Sequence, residues 1–452
     1  MRRITLPGLL ALLVLVPAPP VAARADDRPN VLIVVTDDQR RGTMNVMRYT
    51  RRWLQRLGTR YPNAVVTSPV CCPSRGSILT GRYAHNHGIE TNADHEALDH
   101  ETTLQRHLRD AGYLTGMAGK FLNGWKATDD PPHFDRWAVM SGHGYWRTVY
   151  NVNGRRVRPQ AYSTDFLRAR AVRSLRWFER RDDDAPWLLY VAPSAPHAPY
   201  EPATRHLSAR VPPWRHRSAA LGEADLSDKH PIVQERARLK PRAKIRRAQL
   251  RTLLSVDEMI RGLRRELRRL NENRRTIVIF LSDNGYLWGE HGMGPGKLLP
   301  FKETFRVPMY VRWPGVLPPG GVDRRIAANI DLAPTIYEAA GIEPTVEIDG
   351  RSLRSEEERD RILLEYWSHP GRYPTWSALW SLGEQYTEWE SDETYPTFTE
   401  LYDLAEDPAQ LTNVLVDGDP DNDPSPAHLS ALEAALAAAR ACAGTSGPLA
   451  CP

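Results

Sequence analysis

Cys71 and Cys72 stand side by side in "SPVCCPSRGSILTGRYAHNHG", residues 68 to 88, in a chain with only four cysteines. Thiols pair, bind metal or attack, and each option can be weighed from spacing. A structural zinc site needs four ligands, usually in paired Cys-x-x-Cys-like spacings, and no such pair accompanies Cys71 and Cys72. Cys442 and Cys451, nine positions apart, offer a local disulfide if the chain is exported. Cys71 and Cys72 are then left unpaired, and a thiol near Arg75 could be a low-pKa nucleophile. A second set of reactive side chains ends three apolar runs. Asp37 and Asp38 follow "NVLIVVT", His197 follows "WLLYVAPSAP", and Asp283 with Asn284 follows "TIVIFLS". Any one of them alone is an ordinary loop residue, but five in the same kind of position point to one site.

A sheet must bring them together. The three runs, and "PMYVRWPG" at 308–315, have the unbroken apolar character of strands buried on both faces. Helix-like stretches, Asp165 to Glu179 and Arg251 to Leu270, lie between them. Strand and helix in alternation predict an α/β fold, a mostly parallel sheet sandwiched by helices. Ligands of such sheets gather beyond the carboxyl ends of the strands, where the five residues fall. After about Leu364 the pattern turns aromatic and Pro/Gly-punctuated, and "PAHLSALEAALAAARAC" (426–442) is the last long helix candidate. We expect a catalytic domain over 26–364 and a smaller C-terminal α+β subdomain over 365–452, an antiparallel sheet plus a helix. The Pro- and Ser-rich segment 205–231 is expected to be a surface excursion near the site.

Residues 1–25 read as an export signal: Arg2 and Arg3, the apolar run Leu9 to Val16, and "ARA" at 23–25. That run is too short to span a bilayer, which takes roughly 20 apolar residues. A secreted protein is expected, with retention at the cell surface as the alternative. Of the formal net charge of +5, Arg2, Arg3 and Arg24 supply three, leaving about +2. Global charge therefore says little about partners, and neither nucleic acid nor a stable membrane association is expected. The basic stretch 235–275 carries Leu253, Val256, Ile260, Leu263, Leu267 and Leu270 at steps of three and four. It reads as an amphipathic helix with arginines on its solvated face, or as a basic flank for a polyanionic substrate.

Cys71-Cys72-Pro73-Ser74-Arg75, followed by Leu79, Thr80, Gly81 and Arg82, resembles the signature of the sulfatase family, Cys-x-Pro-Ser-Arg with a downstream Thr-Gly-Arg. The resemblance implies an alkaline-phosphatase-like fold. It also implies that Cys71 is oxidised before folding to formylglycine (3-oxoalanine) by a formylglycine-generating enzyme, while Cys72 is a small buried residue. The chemistry explains the need. A thiolate would be trapped as a stable adduct with sulfur, whereas a hydrated aldehyde carries two hydroxyls on one carbon, one to attack and one to expel sulfate.

By the same resemblance Asp37, Asp38, Asp283 and Asn284, with residue 71, would be metal ligands. Their oxygen donors suit Ca²⁺, or Mg²⁺. Arg75 would orient residue 71, Lys120 and Lys297 would stabilise the anionic transition state, and His197 would protonate the departing alcohol. One run departs from the family pattern. Many sulfatases have Gly-Lys-Trp-His, where this chain has Gly119-Lys120-Phe121-Leu122-Asn123. The N-acetylglucosamine-6-sulfatase subgroup has a similar run, and Asn123 could reach the site. "LLSVDEMI", "LSDNGY" and "ANIDLAPTI" also resemble that subgroup and the extracellular heparan-type sulfatases. His85, His87 and His291 lie in matched loops and are candidates for the sugar pocket. The expected activity is hydrolysis of a sulfate monoester on a sugar, N-acetylglucosamine-6-sulfate-like, or of another sulfate ester. The alternatives are a phosphonate or phosphodiester hydrolase of the same superfamily, and a non-catalytic protein that binds sulfated glycans.

Overall fold

Branched apolar residues fill Asn30–Thr36, Trp187–Ala192 and Thr276–Ser282, and every residue in these three strands is buried. In the computed structural model they form the centre of a nine-stranded sheet. Its order is Thr59–Arg60, Tyr310–Arg312, Thr276–Ser282, Asn30–Thr36, Trp187–Ala192, Leu114–Gly119, Arg136–Ser141, Val149–Val152 and Arg155–Val157. The middle five strands are parallel, and the edges are antiparallel. The structure describes residues 27–182, 184–214, 218–238, 242–369, 371–447 and 450–452. The expected export signal lies outside them. Among the described residues no helix is long and apolar enough to cross a membrane.

Side chains alternate along each strand, so the two faces build separate cores. Val31, Ile33 and Val35 meet Ile78, Leu104, Leu108, Leu332 and Ile336, from helices Cys71–Thr80, Leu104–Asp110 and Leu332–Ala340. Leu32 and Val34 meet Leu167, Leu175, Leu253, Val256 and Leu263, from helices Ser163–Arg181 and Ala243–Arg269. The second of these is the amphipathic helix expected from the basic stretch; its predicted stripe is buried, with Leu270 packed at its end.

A separate antiparallel sheet joins Arg361–Tyr366, Trp376–Ser381, Glu384–Trp389 and Phe398–Asp403, and helix Pro426–Arg440 packs on it. Its first strand straddles position 364, where the sequence reading divides the chain. Trp376, Trp380 and Leu363 share one core with Val65, Val66 and Phe305 of the larger unit. Cys442 and Cys451 are disulfide-bonded.

Candidate active site

Strand register explains why distant residues converge. Thr36 is paired with Ser282, so Asp37 and Asp283 leave the sheet side by side. One strand over, Gly119 is paired with Ala192, which sets Lys120 beside the segment that leads to His197. Gly119 has no substitute here: its φ is +126°, and a Cβ would lie 2.0 Å from the Ala192 carbonyl oxygen. Asp38 also has a left-handed φ of +68°, a conformation aspartate tolerates better than most residues. Its backbone N–H donates to Asp283 Oδ1 at 3.1 Å.

Residue 71 is placed by the helix it opens. Cys71–Thr80 is buried along its whole length, and Val70 offers it no side-chain cap. The partly positive end of this helix therefore faces the site, an arrangement suited to an anion. Arg75 lies one turn on, on the same face. It is fully buried, donates to Asp283 Oδ2 from Nε at 2.9 Å and to the Lys120 carbonyl from Nη1 at 2.8 Å. Its Nη2 lies 2.8 Å from Asp283 and 3.7 Å from Asp37. The thiol of Cys71 is 3.3 Å from Asp37 Oδ1 and 2.7 Å from Lys297 Nζ. Lys120 Nζ donates to Asp37 Oδ2 at 2.8 Å.

The option of a low-pKa thiol does not match this geometry. Arg75 is committed to Asp283 and Lys120, and burial together with Asp37 pushes the Cys71 thiol up. Burial also opposes the charge on Asp37, but Lys120, His197, Arg75 and Lys297 outweigh it and hold the carboxyl well below its ordinary value. Asp283 is raised, by burial and then by Asp37. Burial lowers Lys120 and Lys297, but their anionic neighbours, led by Asp37 for the first and Asp38 for the second, together more than reverse it.

Asp37, Asp38, Cys71 and His197 each offer a ligand atom, all within 4.8 Å of one another. Asn284 Nδ2 donates to Asp38 Oδ1 at 2.7 Å. The Lys297 ammonium threads among Asp38 Oδ1 at 2.5 Å, Asn284 Oδ1 at 2.9 Å and the Cys71 sulfur. Positive charge is thus already seated among oxygen donors, and the donor set fits a hard divalent cation.

His197 is oriented by the backbone of the next residue: Nδ1 lies 2.8 Å from the Ala198 carbonyl. A proton on Nδ1 leaves Nε2 directed to the site, 3.9 Å from Asp38 Oδ2. His143 stacks on it with ring centroids 4.5 Å apart. Burial, then Lys120, pushes His143 down to about 4, so it stacks as a neutral ring. Sequence reading missed His143 because it follows strand Arg136–Ser141, which is too short to mark itself by pattern.

Of these groups Asp38, Cys71, His197 and Lys297 floor a cleft of about 420 Å³, walled by Asn92, Tyr200, Tyr286, Trp367 and Tyr373, with Asp37, Arg75, Lys120, Asp283 and Asn284 buried beneath or beside it. Trp367 and Tyr373 follow the first strand of the smaller sheet, so the C-terminal subdomain completes the site. Aromatic walls above a charged floor suit a ring-shaped polar ligand.

His85, His87 and His291, candidates for the sugar pocket, and Asn123, a candidate to reach the site, are not among the residues that line this cleft. His85 spends both ring nitrogens on Glu365 Oε2 at 2.5 Å and the Cys442 carbonyl at 3.0 Å. His87 is buried over Gly76, bonded to Ser77 Oγ at 3.2 Å and to the Ile89 N–H. His291 pairs with Glu223 at 2.6 Å and stacks on Phe301. Asn123 sits at Cys72 rather than Cys71, through its backbone. Cys72 is buried as expected, its N–H donating to Asn92 Oδ1 at 3.0 Å.

Comparison with known proteins agrees with this arrangement. Residues 29–342 match the family model described as Sulfatase, and residues 289–431 match the one described as N-sulphoglucosamine sulphohydrolase, C-terminal. The chain is 32% identical over 347 residues to the putative extracellular sulfatase Sulf-1 homolog of Caenorhabditis elegans, covering 73% of this chain and 49% of that one. It therefore spans about half the length of that relative. It is 30% identical over 460 residues to the N-acetylglucosamine-6-sulfatase of Homo sapiens, covering 87% of this chain and 82% of that one. A solved structure described as in complex with its substrate D-glucosamine-2-N,6-O-disulfate has a TM-score of 0.75 at 24% identity, covering 91% of this chain and 97% of that one. The phosphonate monoester hydrolase of Agrobacterium radiobacter has a TM-score of 0.71 at 21% identity, over 91% of this chain and 95% of that one. Both share the mixed sheet flanked by helices. A family model spanning residues 29–342 and the human relative at 30% identity establish that the chain belongs to the sulfatase family.

Proposed function

We propose that the protein hydrolyses sulfate monoesters on a sugar of the N-acetylglucosamine-6-sulfate type, using residue 71 oxidised to formylglycine. One observation carries the reading. Residue 71 opens a buried helix and touches Asp37 and Lys297 inside a ring of oxygen donors. The Cys71 sulfur stands in for the oxygens of the oxidised residue, whose two hydroxyls would supply attack on sulfur and release of sulfate.

Asp37, Asp38, Asp283 and Asn284 would hold Ca²⁺, or Mg²⁺, which when bound would supply Lewis acidity toward residue 71 and the sulfate oxygens. The remaining work falls to side chains of the chain itself. Asp37 Oδ1, at hydrogen-bond distance from residue 71, accepts a proton or orients the attacking group. Lys120 and Lys297, together with the N-terminus of helix Cys71–Thr80, neutralise charge that grows on sulfate oxygens. Arg75 fixes Asp283 and the Lys120 backbone, and so holds the floor rigid. His197, as an imidazolium protonated on both ring nitrogens, gives its Nε2 proton to the departing sugar oxygen and is left neutral with Nδ1–H on the Ala198 carbonyl. Tyr200, Tyr286, Trp367 and Tyr373 hold the ring. The reading also carries export and maturation by a formylglycine-generating enzyme.

The test compares initial rates on N-acetylglucosamine-6-sulfate, an aryl sulfate and an aryl phosphodiester with added Ca²⁺. Sulfate release from the sugar that His197→Ala slows far more than release from an activated aryl sulfate supports the proposal. Faster turnover of the phosphodiester moves the assignment to phosphorus chemistry. Calcium-dependent binding of the sugar with no turnover of any ester moves it to a binding protein.

A further inference from the structure

A second cleft, of about 470 Å³, shares none of the first cleft's lining residues but is joined to it through backbone, the N–H of Tyr286 in the first donating to the carbonyl of Glu303 in the second at 2.6 Å. The turn that leaves strand Asn30–Thr36 delivers Asp37 and Asp38 to the catalytic floor, and three residues later Arg40 and Arg41 to this cleft. Arg41, Arg51, Arg60, Lys302 and Arg306 line it, against a single carboxylate, Glu303. Glu303 is itself 3.9 Å from Arg40, which pairs with Glu290 at 2.8 Å. Among the described residues none of the five cations forms an ion pair with a carboxylate.

The cations are held together by backbone rather than by chance proximity. The Arg41 N–H donates to the Arg306 carbonyl at 3.2 Å. Arg60 sits in the edge strand, paired with Tyr310. Arg306 braces the Pro62 carbonyl at 3.0 Å and Asn63 Oδ1 at 2.9 Å through Nη2, while its Nε is buried without a partner. The cations also weigh on one another's charge. Burial and then Arg41 push Arg306 down to about 10, and Arg41 is lowered by burial and Arg60. Arg48, Arg52 and Arg56, exposed on helix Arg48–Leu57, extend the basic surface beyond the rim. Like charges gathered at one place in excess of their counter-charge, here Glu303 with Asp407 near Lys302, favour an anion with several negative groups. A cleft of this volume takes a ligand of one to a few rings.

We propose that this cleft binds a multiply sulfated or carboxylated stretch of an acidic saccharide chain, as a docking site distinct from the catalytic floor. The choice of a saccharide rests on the sulfatase reading above; the anion site itself rests on the cleft. A chain seated there would hold neighbouring residues near the catalytic cleft and raise the local concentration of ester groups.

The test titrates a heparin-derived hexasaccharide, and separately inorganic sulfate, into the full protein by calorimetry at several salt concentrations. Arg41→Gln/Arg51→Gln is the primary variant, because both side chains are exposed and neither braces the fold. Arg306→Gln is the second. The hexasaccharide is expected to bind about tenfold more weakly to the double variant, with a smaller salt dependence, roughly one counter-ion fewer per cation removed. Hydrolysis of a small aryl sulfate is expected to be unchanged. Binding equal to wild type in both variants overturns the proposal, as does inorganic sulfate binding as tightly as the hexasaccharide. Loss of hexasaccharide binding in a protein that hydrolyses no ester keeps the docking site and overturns the enzymatic reading instead.

Discussion

Replacing Arg75 by methionine keeps most of the side-chain volume and removes the charge that holds the catalytic floor together. Lost with it are two contacts to Asp283 at 2.9 and 2.8 Å, the approach to Asp37 at 3.7 Å and the bond to the Lys120 carbonyl at 2.8 Å. All of these groups are buried. Taking one partner from a buried ion pair costs about 3–5 kcal/mol, because the other charge is left uncompensated. Unfolding entropy near 2.1 cal/mol/K per residue gives roughly 0.9 kcal/mol/K for a chain of 452 residues. The melting temperature of Arg75→Met is therefore expected to fall by about 3–5 °C. The pH dependence has a definite sign. Asp283 is already raised, by burial and by Asp37, and Arg75 is the first group that opposes this. Without Arg75 its folded-state pKa rises further, so the folded state binds more protons than the unfolded one and stability falls as pH rises. The defect should be small at acid pH, grow through the carboxylate range and level off above Asp283's folded pKa. Added Ca²⁺ should restore part of it, and Arg75→Lys should lose less. Scanning calorimetry across that range, with chelator and with Ca²⁺, is the assay. A variant that melts with wild type at neutral pH, or whose defect is largest at acid pH, would refute the electrostatic account of Arg75.

Lys120→Ala and Lys297→Ala should each lower kcat by about 10²–10³ with smaller effects on KM, since both face charge that grows in the transition state; steady-state kinetics checks this, and an unchanged kcat would exclude the role. Burial holds His87 neutral, its pKa pushed down to about 3. The unfolded chain binds that proton below about pH 6.5, so wild-type stability should fall from there toward pH 3, and melting curves of His87→Gln should flatten that slope. Gly119→Ala would set a Cβ 2.0 Å from a carbonyl oxygen at a left-handed φ. It should lose several kcal/mol of stability or fail to fold, which soluble yield and melting temperature report. Chelation should abolish turnover and lower the melting temperature together; loss of neither would remove the metal from the account.

Much of the site could be read from sequence because its parts lie where chemistry and topology agree. Asp37, Asp38, Asp283 and Asn284 end strands that pair in register, and the Cys71 motif fixes residue 71 at the start of its own helix. The partners of the histidines were not legible, for a physical reason. His85 answers to Glu365 and Cys442, about 280 and 357 positions away, and no local pattern encodes such partners. Arg75 was expected to orient residue 71, and its contacts instead go to Asp283 and the Lys120 backbone. The cleft walls from Trp367 and Tyr373 depend on how two sheets pack, which periodicity does not report. The strand at Tyr310–Arg312 was expected but its antiparallel direction was not, and the strands Arg136–Ser141 and Val149–Val152 were invisible because short strands carry little pattern.

The central claim is that residue 71 acts as an oxidised cysteine, and peptide mass spectrometry of protein secreted from its native host tests it most directly. Conversion of the thiol to the aldehyde lowers the residue mass by about 18 Da. The account predicts that loss on Cys71 and an unmodified Cys72. An intact thiol at Cys71, in protein that nevertheless releases sulfate from its substrate, would contradict it.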